Sequence, residues 1–347
     1  MSDNPYMRSH GFRLVDLLAV LGIGFIIIML VLPLLHKTRT DDGYSQCEMN
    51  LKQIGIGFHN YADVFGRRLP PLSGAPLYTG GTYPQSILFT LLPFIEDVTL
   101  YQAGLEEQNG HTWAGTVSGA PLFRSGIVKT YLCYMDSSCL PSGLVPQYQW
   151  AASSYAANAQ VFGSGPRLVP DPRPGGKSWN ELASEFHIDA IPDGTSNTIF
   201  FCERLALAGP SNGATPCAWA NPPAGGVGLG NTIKDALGCP LQTFVTRHGM
   251  IRASVCGPAV FFGCGTQEDP VGAVAGDNAV VPMYPLPEIG VKPLLASTDG
   301  RAQSSHADFI YVGMGDGSVR YVSAHVSQAT WARAISPDDG LPLGGDW

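Results

Sequence analysis

The stretch YSQCEMNLKQIGIGFHNYADVFG, residues 44–66, decides the fold. Tyr44, Cys47, Leu51, Ile54, Phe58, Tyr61 and Phe65 recur in steps of three and four, the spacing that lines one face of an α-helix. Glu48, Lys52 and Asp63 fall off that stripe. A helix with one apolar face must bury it, and the chain downstream offers a sheet to bury it against. Gly66 and then Pro70-Pro71 stop the helix, because proline lacks the N–H a helix needs and glycine favours other backbone conformations.

Just upstream lies GFRLVDLLAVLGIGFIIIMLVLPLL, residues 11–35. From Leu14 to Leu35 its one charged residue is Asp16. A run of ~20 apolar residues is long enough to cross a bilayer, and a carboxylate at the centre of such a span costs ~2.5–3.5 kcal/mol. The preceding MSDNPYMRSH carries Arg8 and His10, which favours a cytoplasmic start. A secretory signal peptide would have an apolar run of ~7–15 residues closed by small residues. This run is longer and ends Pro33-Leu34-Leu35-His36-Lys37. From Phe12 to Phe65 the helix would reach ~80 Å at 1.5 Å per residue, with bends expected at Pro33 and at Asp41-Asp42-Gly43.

Composition supports a β-rich remainder. Of 347 residues, 42 are Gly and 28 are Pro, which suits many turns rather than a helical bundle. Charged residues are 14%, below the ~25% of average soluble chains. A net charge of −8, with no basic stripe interleaved with aromatics, argues against nucleic-acid binding. Eight cysteines suit an oxidising compartment. Near the end, Phe309–Gly315 and Val319–Val322 alternate around Asp316-Gly317, the pattern of a half-buried hairpin with a tight turn. Asp193-Gly194 predicts a second turn and Ile199–Cys202 a short strand. Residues 205–300, rich in Gly and Pro, predict an insertion of loops and short strands pinned by cysteines.

Chemistry is sparse. His306 with Asp308 or Asp316 is the one pair resembling a base and its orienting acid. No nucleophile elbow, Walker loop or H-E-x-x-H occurs, and Gly225–Gly230 lacks dinucleotide-binding spacing. Cys133-x5-Cys139 and Cys256-x7-Cys264 miss the usual zinc spacings, and Asp299, Asp308 and Asp316 belong to no EF-hand loop. The expectation is a protein that is not an enzyme, with no catalytic residue, no metal and no cofactor.

The start of the chain resembles the type IV pilin-like proteins. Gly11-Phe12-x-Leu14-Val15-Asp16-Leu17-Leu18 is similar to their cleavage and methylation signature, with Asp16 for the usual Glu and Arg13 for the usual Thr or Ser. The resemblance implies cleavage between Gly11 and Phe12 by a prepilin peptidase and methylation of the new Phe12 amine. It also gives Asp16 a role in assembly: the Phe12 amine of a neighbouring subunit would balance its charge and set the axial register. The alternative places Asp16 at the membrane interface.

Cys47-Glu-Met-Asn-Leu-Lys-Gln-Ile-Gly-Ile-Gly-Phe-His-Asn-Tyr61 and Pro70-Pro71 resemble a planctomycete-type family of unknown function. Tyr131-Leu132-Cys133, Ser154–Ala159, Ile191–Thr198 and His306 with Asp316-Gly317, the family's H-x9-D-G element, follow in the family's order. The family pattern carries cysteines at the places of Cys47 and Cys133, which implies a disulfide between them, the other six cysteines then pinning the insertion. A buried Cys47 thiol is the alternative.

The expected fold is α+β, with a long N-terminal helix packed on an antiparallel sheet. Residues 1–11 form the leader, 12–35 the membrane and assembly helix, 36–66 its amphipathic extension and 67–347 an extracytoplasmic β-rich domain. The expected function is that of a pilin-like or pseudopilin subunit. It would sit singly spanning an inner membrane, with its domain periplasmic or on the cell surface, and its partners would be the peptidase and other subunits. The alternative is a monomeric anchored ligand-binding protein or enzyme. The mature chain is predicted to begin at methylated Phe12. Mass spectrometry of the native protein checks this, and an intact Met1 or a cut beyond Leu35 counts against it.

Overall fold

The computed structural model describes residues 14–74, 85–109, 125–138, 141–145, 150–163, 165–169, 179–209, 215–217, 241–246, 249–254, 261–262, 265–266, 273–274, 281–282, 285–297 and 301–347. Gly11 and Phe12 lie outside them. Helix α1 spans Leu14–Val64, and the helical assignment runs through both Pro33 and Asp41-Asp42-Gly43. The chain divides into two compact units, Met1–Ser45 and Gln46–Trp347.

In the first unit the backbone of Asp16 belongs to α1, while its side chain lies outside what is described. The described side chains of the apolar part run from Leu17 to Met29, and its large ones are all exposed. Among the described residues, no helix is long and apolar enough to cross a membrane.

The second unit is built on the distal part of α1. Cys47, Leu51, Ile54, Phe58 and Tyr61 are buried, as their spacing predicts. The helix ends at Val64, two residues before Gly66, and Gly66 and Arg67 both turn with positive φ. Arg67 is held in that unusual conformation by its N–H, which donates to Ala62 O (2.7 Å), and by its guanidinium on Asp189.

The stripe packs on a five-stranded sheet: β1 (Tyr155–Asn158), β2 (Ile199–Glu203), β3 (Phe261–Phe262), β4 (Phe309–Met314) and β5 (Val319–Ser323), in the order β3-β1-β2-β4-β5. Three pairings are antiparallel, but β3 runs parallel to β1, so the sheet is mixed rather than purely antiparallel. The same strand corrects the view of residues 205–300 as an insertion, because part of that region completes the central sheet. The region also holds two six-residue strands, Leu241–Thr246 and Gly249–Ser254, paired antiparallel.

Both faces of the sheet are covered. Tyr155, Ala157 and Phe201 join the α1 stripe in one core. Ala156, Cys202, Ile310, Val312 and Met314 join a second core with Trp331 and Ile335 of the helix Gln328–Ile335. Central strand β2 is therefore buried at all five positions, which explains its unbroken IFFC run. The hairpin β4–β5 forms as predicted, but β4 is sandwiched rather than half-buried.

The Asp316-Gly317 turn is a docking point as well as a turn. Asp316 Oδ1 accepts from the N–H (2.9 Å) and hydroxyl (2.6 Å) of Ser318, and Gly317 has φ +82°. A Cβ on Gly55 of α1 would lie 3.5 Å from Gly317 Cα, an ordinary contact distance, so the turn packs directly on the helix backbone. Gly317→Val is expected to destabilise the protein by about 2–3 kcal/mol. It combines a β-branched residue at positive φ with a Cβ placed 3.3 Å from the His59 ring. Denaturant unfolding of the detergent-solubilised chain measures it, and an unchanged midpoint would count against the docking role.

Candidate functional site

Four elements far apart in sequence meet where α1 crosses the sheet. Cys47 on α1 and Cys133, just after the turn Lys129–Tyr131, form a disulfide across a separation of 86 residues. Glu203 ends β2, and His306 precedes β4. All four are buried. His306 Nε2 lies 2.7 Å from Glu203 Oε1 and 3.9 Å from Cys133 Sγ. An ionised carboxylate only accepts hydrogen bonds, so Nε2 carries the proton of the short contact.

The pair is held in place from behind. Glu203 Oε2 accepts from the Ser304 hydroxyl (3.0 Å) and the Tyr311 N–H (3.0 Å). The His306 N–H donates to Ser304 Oγ (3.1 Å), and its ring stacks on Phe309 at 4.8 Å and 8°. On the cysteine side, Asn50 donates its amide to Leu132 O (2.7 Å), and the Tyr155 hydroxyl donates to Cys47 O (3.2 Å). Asp136, three residues past Cys133, is a second buried carboxylate. It accepts from Ser138 N–H (2.9 Å), the Ser154 hydroxyl (2.7 Å) and Ala206 N–H (2.9 Å), which locks the Cys133 loop to the end of β2.

The structure thus pairs His306 with Glu203, not with Asp308 or Asp316. Asp308 is exposed and Asp316 is spent on its turn. Asp299, Cys139, Cys256, Cys264 and Gly225–Gly230 lie outside the described residues. Glu203 escapes notice in sequence because it follows an apolar strand and matches no motif, and only its burial in the fold makes it need a partner. The expectation that the other six cysteines pin the insertion fails for two of them: Cys202 and Cys217 are buried thiols facing different cores. Burial pushes both thiols up, Cys217 to about 12, which keeps them protonated and unreactive at neutral pH.

The quoted segments Ser154–Ala159 and Ile191–Thr198 tie the strands and turns of the sheet together. Asn158 donates to Ile199 O (2.7 Å) and Ile335 O (2.7 Å), tying β1 to β2 and to the helix beyond. Asp193 accepts from Asp339 N–H (2.8 Å) and Gly340 N–H (2.8 Å). The turn after it meets the Asp316-Gly317 turn: Gly315 N–H donates to Thr198 O (3.1 Å) and Asp316 N–H to Thr195 O (3.1 Å).

The family described as a protein of unknown function (DUF1559; SBP_bac_10) matches residues 45–329. The chain belongs to this family. The DUF1559 match takes in Cys47, Cys133, Glu203 and His306 and begins after the apolar segment. Comparisons with the curated proteins and with the solved structures give no match.

In this DUF1559 chain, Glu203→Ala would leave His306 buried without its acceptor and strip one from Ser304 and Tyr311. A loss of about 3–5 kcal/mol is expected, as for other broken buried pairs. Exposed Asp308→Ala should stay within about 0.5 kcal/mol. Urea unfolding of both variants tests the contrast, and equal midpoints would show that the pair does not stabilise the fold.

Proposed function

We propose that this protein is a pilin-like or pseudopilin subunit, held in an inner membrane by its N-terminal helix and assembling through that helix with copies of itself or related subunits. A prepilin peptidase would process it at Gly11-Phe12, and the globular unit would be extracytoplasmic. The supporting observation is the exposure of every large apolar side chain from Leu17 to Met29, between 47% and 61%. A helix that is apolar all round needs lipid or other helices around it. The globular unit has its own core around the distal α1 stripe, and the disulfide suits an oxidising compartment.

The second reading, a monomeric anchored ligand-binding protein, has one observation in its favour. A surface groove of about 560 Å³ runs beside edge strand β5, lined by Tyr311, Tyr321 and Trp347 with Glu48, Arg320 and Asp346. Aromatic walls with a few charges suit a small ligand. The readings share the anchor and differ in whether the subunits associate.

Asp16→Ala is expected to insert into the membrane as well as wild type, since it removes a charge from the span, yet to fail in filament assembly. Asp16→Glu should assemble. Electron microscopy of native envelopes reads the outcome. Normal filaments from the alanine variant would remove the assembly role, and the absence of any wild-type filament would favour the ligand-binding reading.

A further inference from the structure

We infer that Cys47, Cys133, Glu203 and His306 form a buried site for a thiophilic divalent cation such as Zn²⁺ when the disulfide is reduced. One sulfur from each cysteine, a carboxylate oxygen and an imidazole nitrogen all lie within 4.8 Å of one another. Tetrahedral zinc with two Cys, one His and one carboxylate has bonds of about 2.0–2.3 Å, so its ligand atoms stand about 3.3–3.8 Å apart. Small side-chain rotations bring the four donors to that spacing. A cavity of about 10 Å³, close to the room one water needs, borders Cys133 and Glu203.

Three features favour the site over a plain disulfide. A disulfide between a helix and a loop needs no charged neighbours, yet a fully buried carboxylate–imidazole pair is placed at its sulfurs, at a desolvation cost that apolar residues would avoid. The donors are already oriented by groups that do not themselves bind: the Ser304 hydroxyl and the Tyr311 N–H hold Glu203, and Phe309 holds the His306 ring. The cysteines are also held together without the S–S bond. Asn50 bonds Leu132 O, Tyr155 bonds Cys47 O, and Ser154 N–H donates to Tyr131 O (2.8 Å), so reduction leaves both sulfurs facing the pair.

The chemistry balances. A dithiol reductant gives two electrons and two protons to the Cys47–Cys133 bond and is itself oxidised to a disulfide. The cation then displaces both thiol protons to solvent. The imidazole proton moves from Nε2 to Nδ1, and the His306–Glu203 hydrogen bond is replaced by two bonds to the ion. Disulfide and metal are thus alternative ways of joining α1 to the Cys133 loop, and the metal would add a link to the sheet through Glu203.

The test uses the full chain in detergent, oxidised or reduced with a phosphine, titrated with Co²⁺ and then Zn²⁺. The reduced protein should bind one Co²⁺ with tetrahedral d–d bands and sulfur-to-cobalt charge transfer, displaced by Zn²⁺, and the oxidised protein should lack this signal. His306→Ala and the Cys47→Ser, Cys133→Ser double variant should weaken binding at least tenfold. X-ray absorption of the zinc-loaded wild type, which needs no variant, should show two sulfur and two nitrogen or oxygen ligands. A reduced wild type that binds no Co²⁺, a zinc shell of four sulfurs, or binding unchanged in the double variant would overturn the proposal.

Discussion

The apolar stripe of α1 from Cys47 to Tyr61 must leave water, and the segments that cover it come from almost the whole length of the chain. Burying Leu51, Ile54 and Phe58 stabilises by about 1.5–3 kcal/mol each, but only if the sheet is held at the helix. Polar groups do the holding. The disulfide closes a loop of 86 residues, which in the chain-entropy account is worth about 4–5 kcal/mol. The Asp316-Gly317 turn then packs directly on the helix backbone at Gly55, with Gly317 at positive φ leaving room for the His59 ring.

Much of this was legible in the sequence, for identifiable reasons. The helix announced itself through its period, and the β4–β5 hairpin through its alternation around Asp316-Gly317. The Cys47–Cys133 pairing came through family resemblance, since spacing alone leaves eight cysteines undecided. What stayed hidden depends on contacts distant in sequence. The helix Gln328–Ile335 covers the far face of the sheet, and nothing in the hairpin pattern tells one buried face from two. Strand β3 has two residues and a parallel partner, too short for any periodic signal. Glu203 and Asp136 look like ordinary acids until the fold surrounds them, because burial is a property of the neighbours and not of the residue.

The H-x9-D-G element gains a physical meaning from these contacts. Its two ends grip α1 at different heights. His306 reaches the Cys47 level through Glu203 and the disulfide, while Asp316-Gly317 reaches the Gly55 and His59 level. The nine residues between carry β4, so the element fixes the register of the central sheet against the helix. Its other contact, from Gly315 and Asp316 to the turn at Thr195–Thr198, fixes β4 against β2. One short segment therefore sets the position of the hairpin along two directions at once.

That arrangement has a consequence for the order in which the molecule is made. The distal part of α1 is synthesised early, yet Tyr311 and Val319 of the hairpin, which complete its cover, come more than 250 residues after Cys47. Contacts between such distant segments form slowly, because a long loop must close before any burial repays it. Ile87–Leu92, Tyr131, Phe162 and Phe200-Phe201 cover the stripe in turn as they emerge, and until Tyr311 and Val319 follow its cover is incomplete. The core around α1 is therefore completed only late in synthesis, and partly covered apolar surface of that kind is what makes an unfinished chain prone to aggregate.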